Sequence, residues 1–146
     1  MIYLDTSAFI KLYFLEDGSD FVQQCVMGQH DPLPLWEILE AELTNACRLK
    51  AFWGDITAAQ ANEQIDLIEQ RLRSGQYYVP EIDRSALMGA FRTLSQQTPR
   101  FGCRTMDLLH VACAMQLRPA HFVTYDDRQR AMAAHVGLSV LPEVGS

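Results

Sequence analysis

The 146-residue chain has few of the features that mark secreted, membrane and zinc-finger proteins. It contains four cysteines, without the paired CxxC spacing of zinc-binding and redox motifs. No stretch approaches the roughly 18 uncharged apolar residues of a membrane-spanning helix. The amino terminus also lacks a basic segment followed by an apolar run. We therefore expect a cytoplasmic protein, not inserted in a membrane, with reduced and mostly packed thiols.

Several common sequence motifs are absent as well. The chain has neither a glycine-rich P-loop nor an HExxH pattern, and it has no internal repeat, low-complexity stretch or linker. A zinc site could be drawn from Cys103, His110 and Cys113. Three ligands at irregular spacing favour packed thiols and a helical histidine instead. We expect a single domain over residues 1–146.

The chain is short of positive charge for a protein that binds nucleic acid. Its formal net charge is −6, from 12 lysines and arginines against 18 acids. The distribution is uneven, because residues 84–130 contain seven arginines and three aspartates, a local net charge of +4. A basic surface there could contact phosphates, with Arg100, Arg104 and Arg128 as candidates. Scattered, solvated arginines are an equally good interpretation.

Short strand-like segments alternate with longer helical ones along the whole chain. Thr57 and Gln60 form a capping-box pattern, and Gly75 and Gly137 follow predicted helix ends. This alternation predicts an α/β fold of three layers (α/β/α), with a mainly parallel central sheet flanked by helices. The predicted strands are Ile2–Asp5, Tyr77–Pro80, His121–Tyr125 and Leu138–Leu141, with Pro32–Trp36 an ambiguous lead-in to a helix. The predicted helices are Ser7–Phe14, Ser19–Met27, Trp36–Trp53, Ala58–Ser74, Arg84–Gln96, Met106–Leu117 and Asp127–Val136.

Four acidic residues occupy positions that are hard to explain structurally. Asp5 and Asp126 end predicted strands, where ligands gather in parallel α/β sheets, while Asp107 opens a helix and Glu42 lies among apolar residues. Two carboxylates about 4 Å apart repel by roughly 4 kcal/mol at an effective dielectric near 20. A hard divalent cation reverses that sign. We therefore predict a metal-dependent phosphodiesterase in which all four are catalytic and metal-binding residues.

Three of these acids also have a structural interpretation as helix caps. Asp5 could be the N-cap of the helix that follows it. Asp126 could be an N-cap in a capping box with Gln129. Asp107 suits the first turn of a helix because the macrodipole favours an acid there. The interpretations are compatible, since a capping carboxylate can still offer an oxygen to a metal.

Glu42 is the most informative of the four, because an ionised side chain in an apolar stripe needs a partner. The structural alternatives are an ion pair with a buried arginine and a side chain that extends to reach solvent. His110, three residues beyond Asp107, is better explained as a hydrogen-bonded core histidine than as a group that orients phosphate or water. The residues within about 60° of Glu42 on a helical wheel are Leu35, Ile38, Leu39, Ala46, Leu49 and Trp53.

Four segments, in order along the chain, resemble the PIN domain family, and most closely its VapC-type ribonuclease toxins of toxin–antitoxin pairs. Ile2–Ser7 resembles the family's opening strand, acid and small hydroxyl residues. Glu42–Ala46 with Gly54–Thr57 is similar to the segment with the helix-borne glutamate. Asp107–Ala112 resembles the helix with the third acid, and Phe122–Asp126 the final strand with its T-x-D ending. Each pattern is weak alone, but four in order over essentially the whole chain are fairly specific.

The resemblance implies a parallel sheet flanked by helices and an endoribonuclease that depends on Mg²⁺ or Mn²⁺. It also implies an RNA substrate, frequent homodimers and inhibition by a cognate antitoxin protein. We expect Asp5 and Asp107 to hold the principal metal, with Glu42 and Asp126 acting through water or at a second ion. A supporting hydroxyl role is implied for Thr6 or Thr124.

Two other functions fit the sequence less well. A haloacid-dehalogenase-like phosphatase would use an aspartate at the end of the first strand, but it needs a second acid two residues later, where this chain has Ser7. A non-catalytic PIN-fold module that only binds a partner protein has no need to bind a metal through these acids. Metal binding therefore distinguishes the module from the nuclease.

Overall fold

The computed structural model describes residues 1–144 and contains the expected alternation of short strands and longer helices. The strands are β1 (Ile2–Leu4), β2 (Leu33–Pro34), β3 (Tyr77–Tyr78), β4 (His121–Val123) and β5 (Val140–Leu141). The helices are α1 (Thr6–Phe9), α2 (Ser19–Met27), α3 (Glu37–Phe52), α4 (Ala58–Arg73), α5 (Arg84–Ser95), α6 (Thr98–Phe101), α7 (Thr105–Leu117) and α8 (Asp127–His135).

Every strand pairing in the described part of the chain is parallel. β4 lies between β1 and β5, and β2 pairs with β3. These two groups of strands meet where β2 packs against β1. Leu4 pairs with Val123, so the residues that follow these strands, Asp5 and Thr124, leave the sheet side by side. The predicted α/β fold, a parallel sheet flanked by helices, is confirmed.

The core is built on strands that are buried on both faces. All three side chains of β1 are buried, and Tyr3 stacks on Phe122 of β4 with ring centroids 5.3 Å apart. Continuous apolar runs of this kind are typical of parallel sheets covered by helices. Helix α7 is also buried over most of its surface. Its two polar residues with buried side chains, Asp107 and His110, therefore lie inside the protein rather than at its surface.

Residues Pro32–Trp36, which were ambiguous in sequence, contain the strand β2. The N–H groups of Leu33 and Leu35 donate to the carbonyls of Gln76 and Tyr78, at 3.1 and 2.8 Å. Pro34 lies between these two donors, at a position where the ladder requires no N–H. A proline is tolerated in a strand for that reason.

The structure differs from the helical predictions at two places. The predicted helix Ser7–Phe14 is the short helix α1 followed by a 3₁₀ turn, Ile10–Leu12. Helix α6 was not predicted. Its first turn contains Pro99, which suits the start of a helix because its missing N–H has no intrahelical acceptor there.

The apolar stripe around Glu42 is only partly buried. The buried face of α3 consists of Leu39, Leu43 and Cys47, and Glu42 lies about 100° round the helix from Leu43. Trp53, just beyond the end of α3, is 62% exposed. Glu42 is therefore at the border of the buried face, with its side chain 28% exposed, rather than at its centre.

The four cysteines are free thiols, and all except Cys25 are buried, as predicted. Over residues 1–144, none of the helices is both long enough and apolar enough to span a bilayer.

Candidate active site

Asp5 follows β1, and its side chain is surrounded by hydrogen-bond donors. It is only 2% exposed. Oδ1 accepts from the N–H of Ala8 at 2.9 Å and from the hydroxyl of Ser7 at 2.6 Å, so Asp5 is indeed the N-cap of α1. Oδ2 accepts from the hydroxyl of Thr124 and from Nε2 of Gln129. A carboxylate has about four lone-pair sites, and these four donors occupy all of them.

The buried position of Asp5 changes its acidity. Burial raises the pKa of Asp5 above its usual value, because the charged form loses its hydration. The nearby His110 and the hydrogen bonds from Ser7, Thr124 and Ala8 act in the opposite direction without reversing the shift. Within residues 1–144, no lysine or arginine forms an ion pair with Asp5. The carboxylate is therefore held in place by neutral donors, which do not cancel its negative charge.

Glu42 is joined to helix α7 by a histidine. Its Oε1 accepts from the hydroxyl of Thr6 at 2.8 Å and from Nε2 of His110 in a short hydrogen bond. Burial of Glu42 opposes its ionisation, but the bonds and charge of His110 and the bond from Thr6 outweigh it, and the pKa of Glu42 is lowered. The partner that the sequence required is therefore His110 rather than an arginine. The prediction that His110 is a buried, hydrogen-bonded histidine is confirmed.

Asp126 is the N-cap of α8 and is connected to Asp5. Its Oδ1 accepts from the N–H of Gln129 at 2.8 Å, and its own N–H donates to the hydroxyl of Thr124 at 3.1 Å. The predicted capping box is only half formed, because the side chain of Gln129 turns away from the cap and donates to Asp5. Thr124 and Gln129 thus contact both acids.

Asp107 is buried in the first turn of α7. Its Oδ2 accepts from the N–H of Arg104 at 2.8 Å, and the guanidinium Nε of Arg104 lies 3.8 Å away on a side chain that is 74% exposed. Burial raises the pKa of the Cys103 thiol, and the negative charges of Asp107 and Asp126 raise it further. Both carboxylates therefore lie within electrostatic range of the same buried sulfur.

Contacts through other side chains connect the four predicted acids to one another. Asp5 and Asp126 share neighbours, Glu42 reaches Asp5 through Thr6, and Asp107 lies one turn before the histidine that binds Glu42. In the part of the chain that the structure describes, however, no three His, Cys, Asp or Glu side chains are arranged so that they could hold a metal. Mg²⁺ takes only one or two carboxylates directly and completes its shell with water. The donor chemistry therefore fits Mg²⁺ or Mn²⁺ with at most two of these acids bound directly.

The candidate phosphate contacts are at the surface. Arg100, Arg104 and Arg128 are all exposed, and Arg100 lies over the ring of Phe101 at 4.8 Å. Arg130 differs from them, because its guanidinium donates to the carbonyls of Pro142 and Thr124 and joins the ends of β5 and β4. The exposed arginines remain available to a ligand, whereas Arg130 has a structural role.

Sequence reasoning missed Gln129 as a partner of Asp5. The residue is 2% exposed and shares the inner face of α8 with Met132 and Ala133, three and four positions later. That spacing places all three on one side of a helix. The signal in the sequence was therefore a polar residue on the face of α8 that also has Met132 and Ala133.

Comparisons with known proteins agree with this architecture. The family model for the PIN domain matches residues 2–135. The chain is 29% identical to Ribonuclease VapC46 of Mycobacterium tuberculosis over 142 residues, which cover 96% of this chain and 95% of that protein. Two solved structures have the same fold. FitAcB from Neisseria gonorrhoeae has a TM-score of 0.64 and 18% identity, with 97% of each chain covered. VapBC-1 from nontypeable Haemophilus influenzae has a TM-score of 0.64 and 17% identity, with 96% of each chain covered. The chain belongs to the PIN domain family.

Proposed function

We propose that this protein is a metal-dependent endoribonuclease, the toxin of a toxin–antitoxin pair. The observation that carries the proposal is the buried Asp5 carboxylate at the carboxyl end of β1, which shares Thr124 and Gln129 with Asp126. Among residues 1–144, it forms no ion pair with a lysine or an arginine. The proposal is supported by a relative named as a ribonuclease that aligns over nearly the whole chain. It is also supported by the fold shared with a solved VapBC structure.

Asp5 and Asp107 would hold the principal Mg²⁺ or Mn²⁺ ion, with Glu42 and Asp126 acting through water or at a second ion. When bound, the cation polarises the scissile phosphate and lowers the pKa of the attacking water. Thr6 and His110 keep Glu42 ionised and oriented.

The donors around Asp5 have a consequence for metal binding. All of its lone pairs are engaged, by Ser7, Ala8, Thr124 and Gln129. A cation that binds Asp5 directly must therefore replace one of these hydrogen bonds.

The substrate and partners belong to the same proposal. Single-stranded or looped RNA is the expected substrate, because its backbone is accessible, and the exposed Arg100, Arg104 and Arg128 would contact its phosphates. A cognate antitoxin protein is the expected inhibitor, and we propose that the toxin is a cytoplasmic homodimer. A VapBC structure among those with the same fold supports the antitoxin partner.

The test compares Asp5→Asn with Asp127→Asn. Asp127 is the exposed acid beside Asp126 in the first turn of α8, so its loss removes the same charge outside the proposed site. Cleavage of a single-stranded RNA oligonucleotide is measured with Mn²⁺ and with EDTA, after circular dichroism has shown that both variants fold. The activity of Asp5→Asn should be more than about 100-fold below that of the wild type. This exceeds the loss of about 10–100-fold that is typical when a residue only supports the metal ligands.

Asp127→Asn should cleave like the wild type, and EDTA should abolish cleavage by both. Equal cleavage in EDTA, or full Mn²⁺-dependent cleavage by Asp5→Asn, would show that the proposed mechanism is wrong. A folded wild-type protein that binds no Mn²⁺ would favour the non-catalytic interaction module.

A further inference from the structure

Three buried aromatic side chains form a chain of hydrogen bonds that ends on Glu42. The indole Nε1 of Trp36 donates to the hydroxyl of Tyr3 at 2.9 Å, and that hydroxyl lies 2.7 Å from Nδ1 of His110. Nε2 of the same imidazole contacts Oε1 of Glu42. Trp36 precedes α3, Tyr3 is in β1 and His110 is in α7, so the chain connects three separate elements.

The direction of each hydrogen bond follows from the chemistry of the groups. An indole N–H only donates, so the oxygen of Tyr3 accepts from Trp36. An ionised carboxylate only accepts, so Nε2 of His110 must carry a proton towards Glu42. The hydroxyl proton of Tyr3 can go to Nδ1 of His110 or to the nearby sulfur of Cys113. Sulfur is a weak acceptor, so the imidazole nitrogen receives it. Whenever the ring of His110 is neutral, these bonds therefore select its Nε2–H tautomer.

The position of the imidazole ring is fixed by packing as well as by hydrogen bonds. Tyr3 and Trp36 both meet the His110 ring edge to face, with centroids 5.9 and 6.5 Å away. Tyr3 is fully buried. A phenylalanine at this position would fill the same core space without requiring a partner for a hydroxyl, whose burial costs about 1–3 kcal/mol when it is unpaired. The hydroxyl of Tyr3 thus has a role that core packing does not supply.

Both hydrogen bonds to Glu42 reach the same oxygen. Thr6 and His110 donate to Oε1, and in the described part of the chain no hydrogen bond to Oε2 is found. One carboxylate oxygen is therefore anchored, while the other is left for a ligand.

We propose that Trp36, Tyr3 and His110 form a positioning relay that holds Glu42 by Oε1 and presents Oε2 to the metal or to its water. The inference rests on the proposed function, and it adds three residues that do not touch the metal or the RNA. Supporting residues of this kind commonly contribute about 10–100-fold to metal affinity or activity.

Tyr3→Phe tests the relay without altering any residue placed in the active site. It removes the hydroxyl that selects the His110 tautomer and keeps the ring in the core. The matched control is Tyr13→Phe, because Tyr13 is also buried and its hydroxyl is hydrogen-bonded to Tyr77 at 2.5 Å. This bond is not part of the series of hydrogen bonds that ends on Glu42.

Two measurements separate positioning from simple destabilisation. ¹⁵N NMR of the imidazole, with the protein in EDTA, should show the Nε2–H tautomer of neutral His110 in the wild type and in Tyr13→Phe, but a shift away from it in Tyr3→Phe. Electron paramagnetic resonance of free Mn²⁺ should show that Tyr3→Phe binds Mn²⁺ about 10–100-fold more weakly than Tyr13→Phe. An Nδ1–H tautomer in the wild type, or equal Mn²⁺ affinity in the two variants, would overturn the proposal.

A second pair of variants changes His110 itself. The amide of His110→Gln can place an N–H near the position of Nε2, whereas the shorter amide of His110→Asn reaches only the position of Nδ1. Mn²⁺ affinity should therefore fall in the order wild type, His110→Gln, His110→Asn. The reverse order of the two variants would contradict the relay.

The relay and the proposed function can fail separately. If Asp5→Asn retains Mn²⁺-dependent cleavage, the proposed function fails. If Asp5→Asn loses cleavage while Tyr3→Phe and Tyr13→Phe bind Mn²⁺ equally well, only the relay fails. The tautomer of His110, measured in EDTA, tests the hydrogen-bond chain independently of both results.

Discussion

At the scale of single residues, the acids of the site are held by hydroxyl and amide groups more than by opposite charges. Thr124 is the clearest case, since its fully buried hydroxyl donates to Asp5 and accepts from the N–H of Asp126. Neutral donors fix the carboxylates without cancelling their charge. A cation can therefore still be attracted to them.

Replacing Thr124 by valine should destabilise the fold, because it deprives the buried Asp5 of a donor and leaves the partly buried N–H of Asp126 without its acceptor. We expect a loss of about 1–3 kcal/mol in the free energy of unfolding, measured by urea denaturation. Thr93→Val is the control, since the exposed Thr93 donates only to a carbonyl of its own helix at 3.3 Å. Equal losses in the two variants would contradict the role given to Thr124.

The Cys113 thiol should make the stability depend on pH in alkaline solution. Burial raises its pKa from 9.0 to about 12, and the neighbouring Tyr3 hydroxyl only partly opposes this rise. The folded protein therefore holds the proton more tightly than the unfolded chain. The stabilisation is complete below pH 9 and is lost as the pH rises towards 12.

Cys113→Ala lacks this titration, so its free energy of unfolding should fall less steeply above pH 9. The difference in slope should approach about 1.4 kcal/mol per pH unit. Urea denaturation at several pH values between 8 and 11 measures it. Parallel curves for the wild type and the variant would show that the thiol does not ionise on unfolding in this range.

At the scale of secondary-structure elements, the same carboxylates that start helices also belong to the candidate site. Asp5 caps α1, Asp126 caps α8, and Asp107 accepts from the backbone at the start of α7. The carboxyl ends of parallel strands and the amino ends of the following helices meet at one edge of the sheet. Capping and metal binding are therefore compatible roles of one residue.

Asp126 allows the two roles to be separated. Asparagine is as good an N-cap as aspartate, so Asp126→Asn should keep the stability while losing Mn²⁺-dependent cleavage, and Asp126→Ala should also lose about 1 kcal/mol. Thr57→Ala is the control for capping alone, because Thr57 caps α4 in a complete capping box. It should lose similar stability but cleave RNA normally. Full cleavage by Asp126→Asn would restrict Asp126 to capping.

At the scale of the whole molecule, the proposed RNA substrate and the protein are both negatively charged. The net charge of −6 repels a polyanion, so binding must depend on a local basic surface. Arg100 and Arg128 are exposed, and their helices α6 and α8 pack together. A small number of phosphate contacts is therefore expected.

These contacts should be visible in the salt dependence of binding. On the non-cleaving Asp5→Asn background, binding of a single-stranded RNA oligonucleotide is measured against salt concentration. Replacing Arg100 and Arg128 by glutamine should reduce the slope of log K against log salt by about 1.4, or about 0.7 for each phosphate contact. Arg73→Gln is the control, because Arg73 ends α4 and the chain then enters β3 at its amino end, away from the carboxyl ends of the strands. This variant should leave the slope unchanged. An unchanged slope in the double variant would place the RNA elsewhere.

Much of the fold could be predicted because its signals are local. The capping box at Thr57 is formed as its spacing indicated, and α4 starts at the next residue. The strand β2 was ambiguous, because it consists of only two residues, one of them a proline, and so shows no periodicity. Only its pairing with β3 defines it. The 3₁₀ turn after α1 was missed for a similar reason, since a single turn of three residues has no periodicity of its own.

The sequence by itself determined most of the order of strands and helices, several helix caps, and the four acids that became candidates for the site. Tertiary structure alone decided the partners of those acids. His110 binds Glu42, 68 positions away, and Gln129 binds Asp5, 124 positions away. Local patterns report the hydrogen bonds of a turn or a cap, whereas contacts between distant residues arise only when the strands pair and the helices pack over them.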